Sequence, residues 1–381
     1  MNKDNNMFIF PISSLVAFAS LAIIFQSNLE RKVPEEATFA YDLWGKTVRL
    51  GIPTEKFPTS DELKKMETTM PGCIHGWFKS SEEGAQLHYR KFLPSSKPKA
   101  IVVFHHGIQT HSGASFLTSN GRKINLALQV DHYVKKQGFA FYAMDQYGHG
   151  YSEGRRMFLN NYTSAANDLA SFCRLAASKH SKETPLFLSG HSFGGALSLL
   201  VANQFQNDKE SAPSGFKGLV LVAPAIIADL PPPPVVYILR NILAVRYPTW
   251  TPFFMPNPVS PERIWRDEEP RKLHTDPRYK TMGLDTAGSP LMLKTAAQCL
   301  SALNEIQETV VPNLKAPFCS VHGIEDYATP VEGTELLEKL ALTPKEDQSV
   351  HCLEGGYHDL YADPLAEWTM EILTKWMNER I

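Results

Sequence analysis

A serine between glycines stands where an apolar run gives way to a helix-forming stretch. Residues Gly190 to Gly195 read G-H-S-F-G-G and follow the apolar run Leu186 to Ser189. A serine hydroxyl is a useful nucleophile only when it is exposed beside a base and near donors that stabilise an oxyanion. A G-x-S-x-G pattern between a strand and a helix is typical of a nucleophile elbow, in which glycines permit a tight turn. The pattern makes Ser192 the candidate nucleophile.

The partners that a serine nucleophile needs follow later in the chain. Such an elbow is found with the chain order serine, acid, histidine. The motif H-G-I-E-D-Y supplies Asp326, the motif E-G-G-Y-H-D supplies His358, and each motif follows its own apolar run. We expect His358 to remove the Ser192 proton and Asp326 to hold the imidazole in the required tautomer. Glu325 is the alternative acid.

Donors for the oxyanion are expected from two turns. The backbone N–H groups of Ile108, in the motif F-H-H-G-I-Q-T-H-S-G, and of Phe193, directly after the nucleophile, form the natural pair. The sequence contains no H-E-x-x-H motif and no Cys/His cluster, so neither a metal ion nor another cofactor is predicted. The five cysteines are widely spaced and are interpreted as ordinary buried thiols.

Length and charge restrict the functions that this site could serve. The chain has 381 residues, 43% of them hydrophobic, which is enough for one large core or two modest ones. The formal net charge is -2, and there is no block of Lys and Arg of the kind that tracks phosphates. We therefore expect no nucleic-acid partner, and the sequence leaves the oligomeric state open.

Short apolar runs alternate with longer helical stretches from about residue 100 onward. Runs of this length are typical of strands buried on both faces. Their alternation with helices predicts an α/β fold with a mostly parallel central sheet flanked by helices. In such sheets functional residues collect at the carboxyl ends of the strands. The runs are Ala100–Phe104, Phe139–Met144, Leu186–Ser189, Leu219–Ala223, Phe318–Val321 and Val350–Leu353.

The amino terminus is different in character. Met7 to Phe25 contains no charged residue over nineteen positions. This favours a single transmembrane anchor and a membrane-associated protein of the endoplasmic reticulum or secretory pathway. A cleaved signal peptide with secretion is the alternative, because Ala17 to Ala19 form a small-x-small site, and a buried core helix is a third interpretation. We assign residues 1–30 to this segment, 31–71 to a linker or wrapping segment, and 72–381 to the catalytic domain.

Five motifs with compatible order and spacing carry a family resemblance. They are H-G-I-Q-T-H-S-G (His106–Gly113), D-Q-Y-G-H-G-Y-S-E-G (Asp145–Gly154), G-H-S-F-G-G (Gly190–Gly195), the Asp326 loop and G-Y-H (Gly356–His358). Together they resemble the monoacylglycerol lipase and lysophospholipase group of α/β-hydrolases, from about residue 72 to the carboxyl terminus. The resemblance implies the α/β-hydrolase fold with a cap after the sixth strand. It also implies a serine hydrolase that cleaves carboxylic esters of lipids through an acyl-enzyme, with the triad Ser192, Asp326 and His358 and no cofactor.

The candidate pocket residues depart from that group. Monoacylglycerol lipases recognise the glycerol head with a Glu and an Arg in the oxyanion loop and a His three positions after the catalytic one. The matching positions here hold Thr110, Ala114 and Tyr361. With His191, these are the substrate-pocket candidates. The substrate could thus be a monoacylglycerol or a lysophospholipid, and the alternatives are another acyl hydrolase, an acyltransferase with the same triad, or a non-catalytic binding scaffold.

The cap is expected at about residues 225–288. It opens with the stiff run Pro231–Pro234, followed by Val235–Arg246, which is apolar over most of its circumference, and by Trp250 and Phe253–Met255. We interpret this region as a lid whose apolar surface lines an acyl pocket and meets a membrane. A small satellite core is the other interpretation.

Overall fold

The computed structural model describes residues 72–80, 84–113, 118–119, 122–155, 157–252, 257–275 and 291–381. The amino-terminal segments expected at residues 1–30 and 31–71 lie outside these ranges, as do Ala114 and Phe253–Met255. Within the ranges, no helix combines the length and the apolar character needed to cross a bilayer.

An eight-stranded sheet forms the centre of the fold, with its strands in the order β1-β2-β4-β3-β5-β6-β7-β8. The first two strands pair antiparallel, β2 pairs antiparallel with β4, and the other six strands are parallel to one another. This confirms the predicted α/β fold, and the six parallel strands are the six apolar runs. The strands are β1 (Ile74–Lys79), β2 (Gln86–Phe92), β3 (Ile101–His105), β4 (Ala140–Met144), β5 (Leu186–His191), β6 (Phe216–Val222), β7 (Phe318–Gly323) and β8 (Gln348–Leu353). A separate ribbon pairs Thr118–Ser119 with Arg122–Lys123.

The central parallel strands are largely apolar because both faces of the sheet are covered there, whereas the edge strand β8 is mostly half-buried. All five residues of β3 are buried. Ile101 and Val103 belong to the core on one face, and Val102 and Phe104 belong to the core on the other. Successive side chains of a strand point to opposite faces, so two cores require apolar residues at every position. By contrast, β1 has only exposed or half-buried residues and β2 mixes buried with half-buried ones, which is why neither strand forms an apolar run.

Helices supply the other half of each core. Residues of α2 and α3 pack into the first core, and residues of α1 and α9 pack into the second. The helices are α1 (Asn125–Gln129, continued by a π-helical segment Val130–Lys136), α2 (Tyr162–Ala177), α3 (Phe193–Asn207), α4 (Pro233–Ile238, continued by a π-helical segment Leu239–Leu243 and by Ala244–Arg246), α5 (Pro261–Ile264), α6 (Glu268–Thr275), α7 (Leu293–Glu305, continued by a π-helical segment Ile306–Val310 and a 3₁₀ turn Val311–Asn313), α8 (Glu332–Leu340), a 3₁₀ turn Lys345–Asp347, and α9 (Ala366–Asn378).

Between β6 and β7 the described residues include the helices α4 to α6, in the region where the cap is expected. One face of α4 packs through Leu239, Leu243 and Ala244 against Trp250 and Leu293, so a satellite core is present. Other positions of α4 leave large apolar side chains exposed, and we call them the α4 apolar face. This face consists of Tyr237, Ile238, Ile242 and Val245, which are between 41% and 65% exposed.

Candidate active site

Ser192 lies at the sharp turn between β5 and α3. Its backbone has φ 55° and ψ -124°, a left-handed conformation that residues with side chains rarely adopt. The turn leaves no room for side chains at the neighbouring glycines. A Cβ on Gly190 would collide with the backbone of Gly194, and a Cβ on Gly194 would collide with the carbonyl of His105. Close approach of three backbone segments therefore requires glycine at both positions.

Asp326 and His358 lie in the turns after β7 and β8. His358 Nδ1 is 2.7 Å from Asp326 Oδ2, and Asp326 Oδ1 accepts two backbone N–H hydrogen bonds of 2.7 and 2.8 Å from its own turn. Burial alone would raise the pKa of Asp326, but the His358 and His322 imidazoles beside it hold that pKa well below its usual value. The carboxylate is therefore ionised and can orient His358. Glu325, the alternative acid, is exposed.

Two further side chains contact this pair and were not predicted. Thr329 Oγ1 lies 2.9 Å from Asp326 Oδ2 and 3.1 Å from His358 Nδ1. His322 Nε2 lies 3.1 Å from the same carboxylate oxygen. We call Asp326, His358, His322 and Thr329 the Asp326 cluster. A signal for His322 was present in the sequence, since it precedes Asp326 by four residues in the motif H-G-I-E-D. The sequence offers no comparable signal for Thr329.

A pocket beside Ser192 brings most of the candidate residues together. The space between its lining residues, with the open solvent at its mouth included, is about 680 Å³. Among the described residues that line it there is no Lys or Arg, and one carboxylate, that of Asp359. The candidates that line the pocket are Ser192, His358, Ile108, Thr110, His191 and Tyr361. Asp326 lies behind His358 rather than in the lining.

Ile108 and Phe193 reach the neighbourhood of Ser192 from different elements. Phe193 is the first residue of α3, so its N–H is one of the donors that a helix leaves without an acceptor of its own. Its side chain is buried in the core. Ile108 lies in the turn after β3, next to Gly107, where an added Cβ would come within 3.0 Å of the Ser192 Cβ. The two backbone segments thus flank the serine.

His191 packs against His358 and is half-buried. Its Nε2 lies 3.1 Å from the His358 carbonyl oxygen, and the centroids of the two rings are 5.0 Å apart. Since a carbonyl only accepts, this nitrogen carries the ring hydrogen. Burial, together with the nearby His358, lowers the pKa of His191 to about 4. His191 is therefore neutral near pH 7 and holds the backbone of the His358 turn.

A second buried carboxylate fixes the loop that carries Ile108. Asp145 Oδ1 accepts a hydrogen bond of 2.7 Å from the Ser112 N–H, and Asp145 Oδ2 lies 2.7 Å from His88 Nδ1. Arg90 Nη1 lies 3.2 Å from both carboxylate oxygens. We call Asp145, Ser112, His88 and Arg90 the Asp145 cluster. Its three charged or titratable side chains are fully buried. The cluster ties the oxyanion loop to β2 and to the end of β4.

The part of the chain that carries these residues matches a known enzyme family. A family model described as Hydrolase_4, serine aminopeptidase S33, matches residues 96–365. The chain belongs to the Hydrolase_4 family. The matched residues of this chain extend from just before β3 to just before α9, and they include Ser192, Asp326 and His358.

Relatives of this Hydrolase_4 member match along most of their length. The monoglyceride lipase of Rattus norvegicus is 30% identical over 302 residues, which cover 78% of this chain and 89% of that protein. The caffeoylshikimate esterase of Arabidopsis thaliana is 25% identical over 337 residues, covering 87% of this chain and 90% of that protein. A soluble variant of the monoglyceride lipase from Saccharomyces cerevisiae, solved with a substrate analog, has a TM-score of 0.62 at 19% identity and covers 81% of this chain and 95% of its own. The solved structure confirms the α/β-hydrolase fold.

Proposed function

We propose that this protein is a carboxylic ester hydrolase that cleaves monoacyl esters of lipids. The observation that supports this most directly is the position of Ser192 and His358 in one pocket, with the imidazole 2.7 Å from the Asp326 carboxylate. Sequence similarity to a monoglyceride lipase over 78% of the chain favours a lipid ester as the substrate. The catalytic domain spans residues 72–381 in this proposal, with the cap inserted in it.

Ser192 acts as the nucleophile. Its hydroxyl attacks the ester carbonyl while His358 accepts the hydroxyl proton and becomes an imidazolium that Asp326 stabilises. The N–H groups of Ile108 and Phe193 donate hydrogen bonds to the oxyanion of the tetrahedral intermediate. His358 then gives its proton to the leaving alcohol, and the acyl group stays on the serine oxygen. Water, deprotonated by the same imidazole, releases the fatty acid and restores the free serine.

The charge of the pocket favours an ester with a neutral head group. No described lining residue is a Lys or an Arg that could pair with a phosphate. Asp359 instead contributes a carboxylate, which accepts a hydrogen bond of 2.7 Å from the Trp265 indole. Thr110 and Tyr361 are uncharged members of the lining. We therefore rank a monoacylglycerol-type ester above a lysophospholipid.

A panel of esters assayed with wild type and Ser192→Ala tests this function. The panel contains a 1-monoacylglycerol, a lysophosphatidate with the same acyl chain, and a short-chain aryl ester. We expect hydrolysis of the monoacylglycerol and the aryl ester, slower hydrolysis of the lysophosphatidate, and loss of all three activities in Ser192→Ala. A fluorophosphonate probe should label the wild type and not the variant. Wild-type protein that hydrolyses no ester, or labelling that survives the substitution, would contradict the proposal.

We also propose that the enzyme works at a membrane surface. The uncharged segment at residues 7–25 is the proposed anchor, and the α4 apolar face is the proposed second contact. Apolar side chains exposed on one helix gain free energy when they enter the boundary between lipid head groups and acyl chains. Contact of this face with lipid would bring the pocket close to its substrate.

A further inference from the structure

His322 is a buried imidazole that the mechanism above does not use. It lies next to the last residue of β7, its side chain is fully buried, and it is not among the residues that line the pocket. We propose that His322 is a positioning residue: it donates a hydrogen bond to Asp326 and so fixes the carboxylate oxygen that orients His358. This role rests on the proposed function, because it acts through the histidine that serves Ser192.

The contacts of His322 determine which ring nitrogen carries the hydrogen. Nε2 lies 3.1 Å from Asp326 Oδ2 and 3.0 Å from the carbonyl oxygen of Thr329, and both of these atoms only accept. Nδ1 lies 2.8 Å from Thr334 Oγ1, a hydroxyl that can donate. A hydrogen on Nε2 serves both of these acceptors, and the Thr334 hydroxyl pairs with Nδ1. His322 thus donates a hydrogen bond to Asp326.

Two imidazoles therefore donate to one carboxylate oxygen. His358 Nδ1 is 2.7 Å from Asp326 Oδ2, and His322 Nε2 is 3.1 Å from it. The other oxygen is held by backbone N–H groups, so the carboxylate cannot turn without breaking hydrogen bonds on both sides. A carboxylate held in this way keeps the His358 ring in one orientation, which is what proton transfer from Ser192 requires.

The second imidazole also changes how strongly the carboxylate attracts a proton on His358. A hydrogen bond donated to a carboxylate disperses its negative charge and makes it a weaker partner for a neighbouring imidazolium. The titratable groups around this pair are His322 at the end of β7, His358 and Asp359 in the turn after β8, and His191, which packs on His358 from the end of β5. Loss of the His322 donor should therefore favour the protonated form of His358 and shift the acid limb of activity to higher pH.

Three substitutions at this position test the role with a short-chain aryl ester as substrate. His322→Leu removes both ring nitrogens, and His322→Asn leaves an amide too short to reach the carboxylate. Since general-base catalysis contributes about 10²- to 10⁴-fold and only part of it depends on this alignment, we expect each to lower kcat roughly tenfold. KM should not change, because the side chain does not line the pocket. The midpoint of the acid side of the kcat/KM against pH profile should shift to higher pH by roughly 0.5 unit, the change that loss of a hydrogen bond of moderate strength produces.

His322→Gln is the conservative variant, because its terminal amide can replace the Nε2 donor, and it should recover most of the wild-type kcat and pH profile. His132→Leu is the matched control: this histidine is also buried and lies 2.7 Å from a carboxylate, that of Glu367, on the face of the sheet covered by α1 and α9. The control should lower Tm while kcat and the pH profile stay unchanged.

Wild-type kcat and pH profile in His322→Leu would overturn the proposal, and so would a His322→Gln variant as slow as His322→Leu. If the leucine variant does not fold, the comparison of His322→Asn with His322→Gln decides the question in the same way. Failure of the proposed function gives a different result, since Ser192→Ala would then hydrolyse the same ester at the wild-type rate whatever stands at position 322.

Discussion

Two buried carboxylates in this molecule have similar partners and different surroundings. Asp145 lies at the end of β4 and Asp326 in the turn after β7, and both side chains are fully buried. Each lies 2.7 Å from the Nδ1 of a histidine, His88 in the first cluster and His358 in the second. Each also accepts hydrogen bonds from backbone N–H groups. On hydrogen bonding alone, either pair could serve a nucleophile.

The remaining partners separate the two pairs. Arg90 gives the Asp145 cluster a permanent cation, and His88 Nε2 lies 2.8 Å from His75 Nδ1 instead of facing the pocket. Burial, together with the Arg90 charge, lowers the pKa of His88 to about 4. His358, in contrast, lines the pocket, and the Asp326 cluster contains no fixed cation. A histidine held by a carboxylate can therefore act as a general base only where its other ring nitrogen can reach a substrate. The carboxylate must also be free of a fixed cation, so that its charge stabilises the imidazolium.

The largest expected effect belongs to the groups that face the pocket. Ser192→Ala and His358→Ala should each lower kcat by roughly 10⁴-fold or more, and the double variant should be little worse, because the residues act as one unit. Steady-state kinetics with a soluble ester measures all three. Losses that multiply in the double variant would show that the two side chains act independently and would contradict the triad.

Replacing each buried Asp by Asn, which exchanges one carboxylate oxygen for an NH2 group, tests the comparison of the two carboxylates. Asp326→Asn should lower kcat by about 10⁴-fold, because the amide favours the wrong tautomer of His358. Its Tm should stay within a few degrees of wild type. Asp145→Asn leaves the buried Arg90 charge without its partner, which costs about 3–5 kcal/mol of stability. A fall in Tm of about 10 °C is expected.

Ester hydrolysis measures kcat and thermal unfolding measures Tm, and both are needed for Asp326→Asn and for Asp145→Asn. The comparison fails if Asp326→Asn unfolds easily and keeps its activity, or if Asp145→Asn is as stable as wild type. Glu325→Gln is the control for the acid assignment, since this exposed carboxylate should be dispensable for kcat.

Acid should destabilise the fold through its buried neutral histidines. The pKa values of His88, His105 and His191 are lowered by burial to about 4, and burial holds that of His106 well below its usual value. The unfolded chain binds protons at these sites from about pH 6.5 downward and the native state does not, so their stabilising contribution is present above pH 6.5 and is lost as the pH falls toward 4. Four such sites give a limiting slope of roughly 5 kcal/mol per pH unit.

Denaturant unfolding at several pH values between 7.5 and 4.5 measures this slope. We expect the unfolded state to bind at least two more protons than the native state near pH 5. A free energy of unfolding that is independent of pH in this range would show that these imidazoles titrate normally in the folded protein.

The smallest expected effect concerns the α4 apolar face rather than either cluster. In a chain that lacks residues 1–29, replacing Ile242 and Val245 by Ser should weaken binding to phosphatidylcholine vesicles roughly tenfold, because two half-exposed apolar side chains no longer enter the lipid. Hydrolysis of a soluble aryl ester should be unchanged. Leu340→Ser with Leu342→Ser is the matched control, since these side chains are also exposed but lie at the end of α8. Equal loss of vesicle binding in both pairs would argue against the α4 apolar face.

The sequence predicted those parts of the fold in which burial on two faces produces a continuous apolar run. β3 to β7 were found in this way, and β8, which is mostly half-buried, was found from the short run Val350–Leu353. β1 and β2 were not, because β1 is covered incompletely and β2 carries polar residues into buried positions, among them His88 and Arg90. The same property hid the Asp145 cluster, whose two basic residues come from β2 and whose acid lies 57 positions after His88.

The candidate site could be predicted from the chain order and spacing of the motifs. Ser192, Asp326 and His358 each stand in a short motif at the end of an apolar run, so their strands' topology places them together. The contact of Thr329 with Asp326, and the choice of carboxylate oxygen that each donor binds, depend on the backbone path of the turn after β7. No pattern of residue types specifies that path. His322 could have been found from its spacing to Asp326, but the motif was interpreted only as a source of the acid.

The direction of β1 limits what an amino-terminal anchor can control. β1 is antiparallel to β2, and β2 is antiparallel to β4, so β1 points in the same direction as the parallel strands. Its first residue therefore lies at the end of the sheet opposite to the carboxyl ends of those strands, where the pocket is. Residues 31–71 could span at most about 140 Å when extended, and a domain of this size is about 50 Å across. The proposed anchor would therefore hold the enzyme within reach of a membrane without itself setting the direction in which the pocket faces. Which way the pocket faces would then be decided by the α4 apolar face, so tethering and orientation are separate properties that can be removed one at a time.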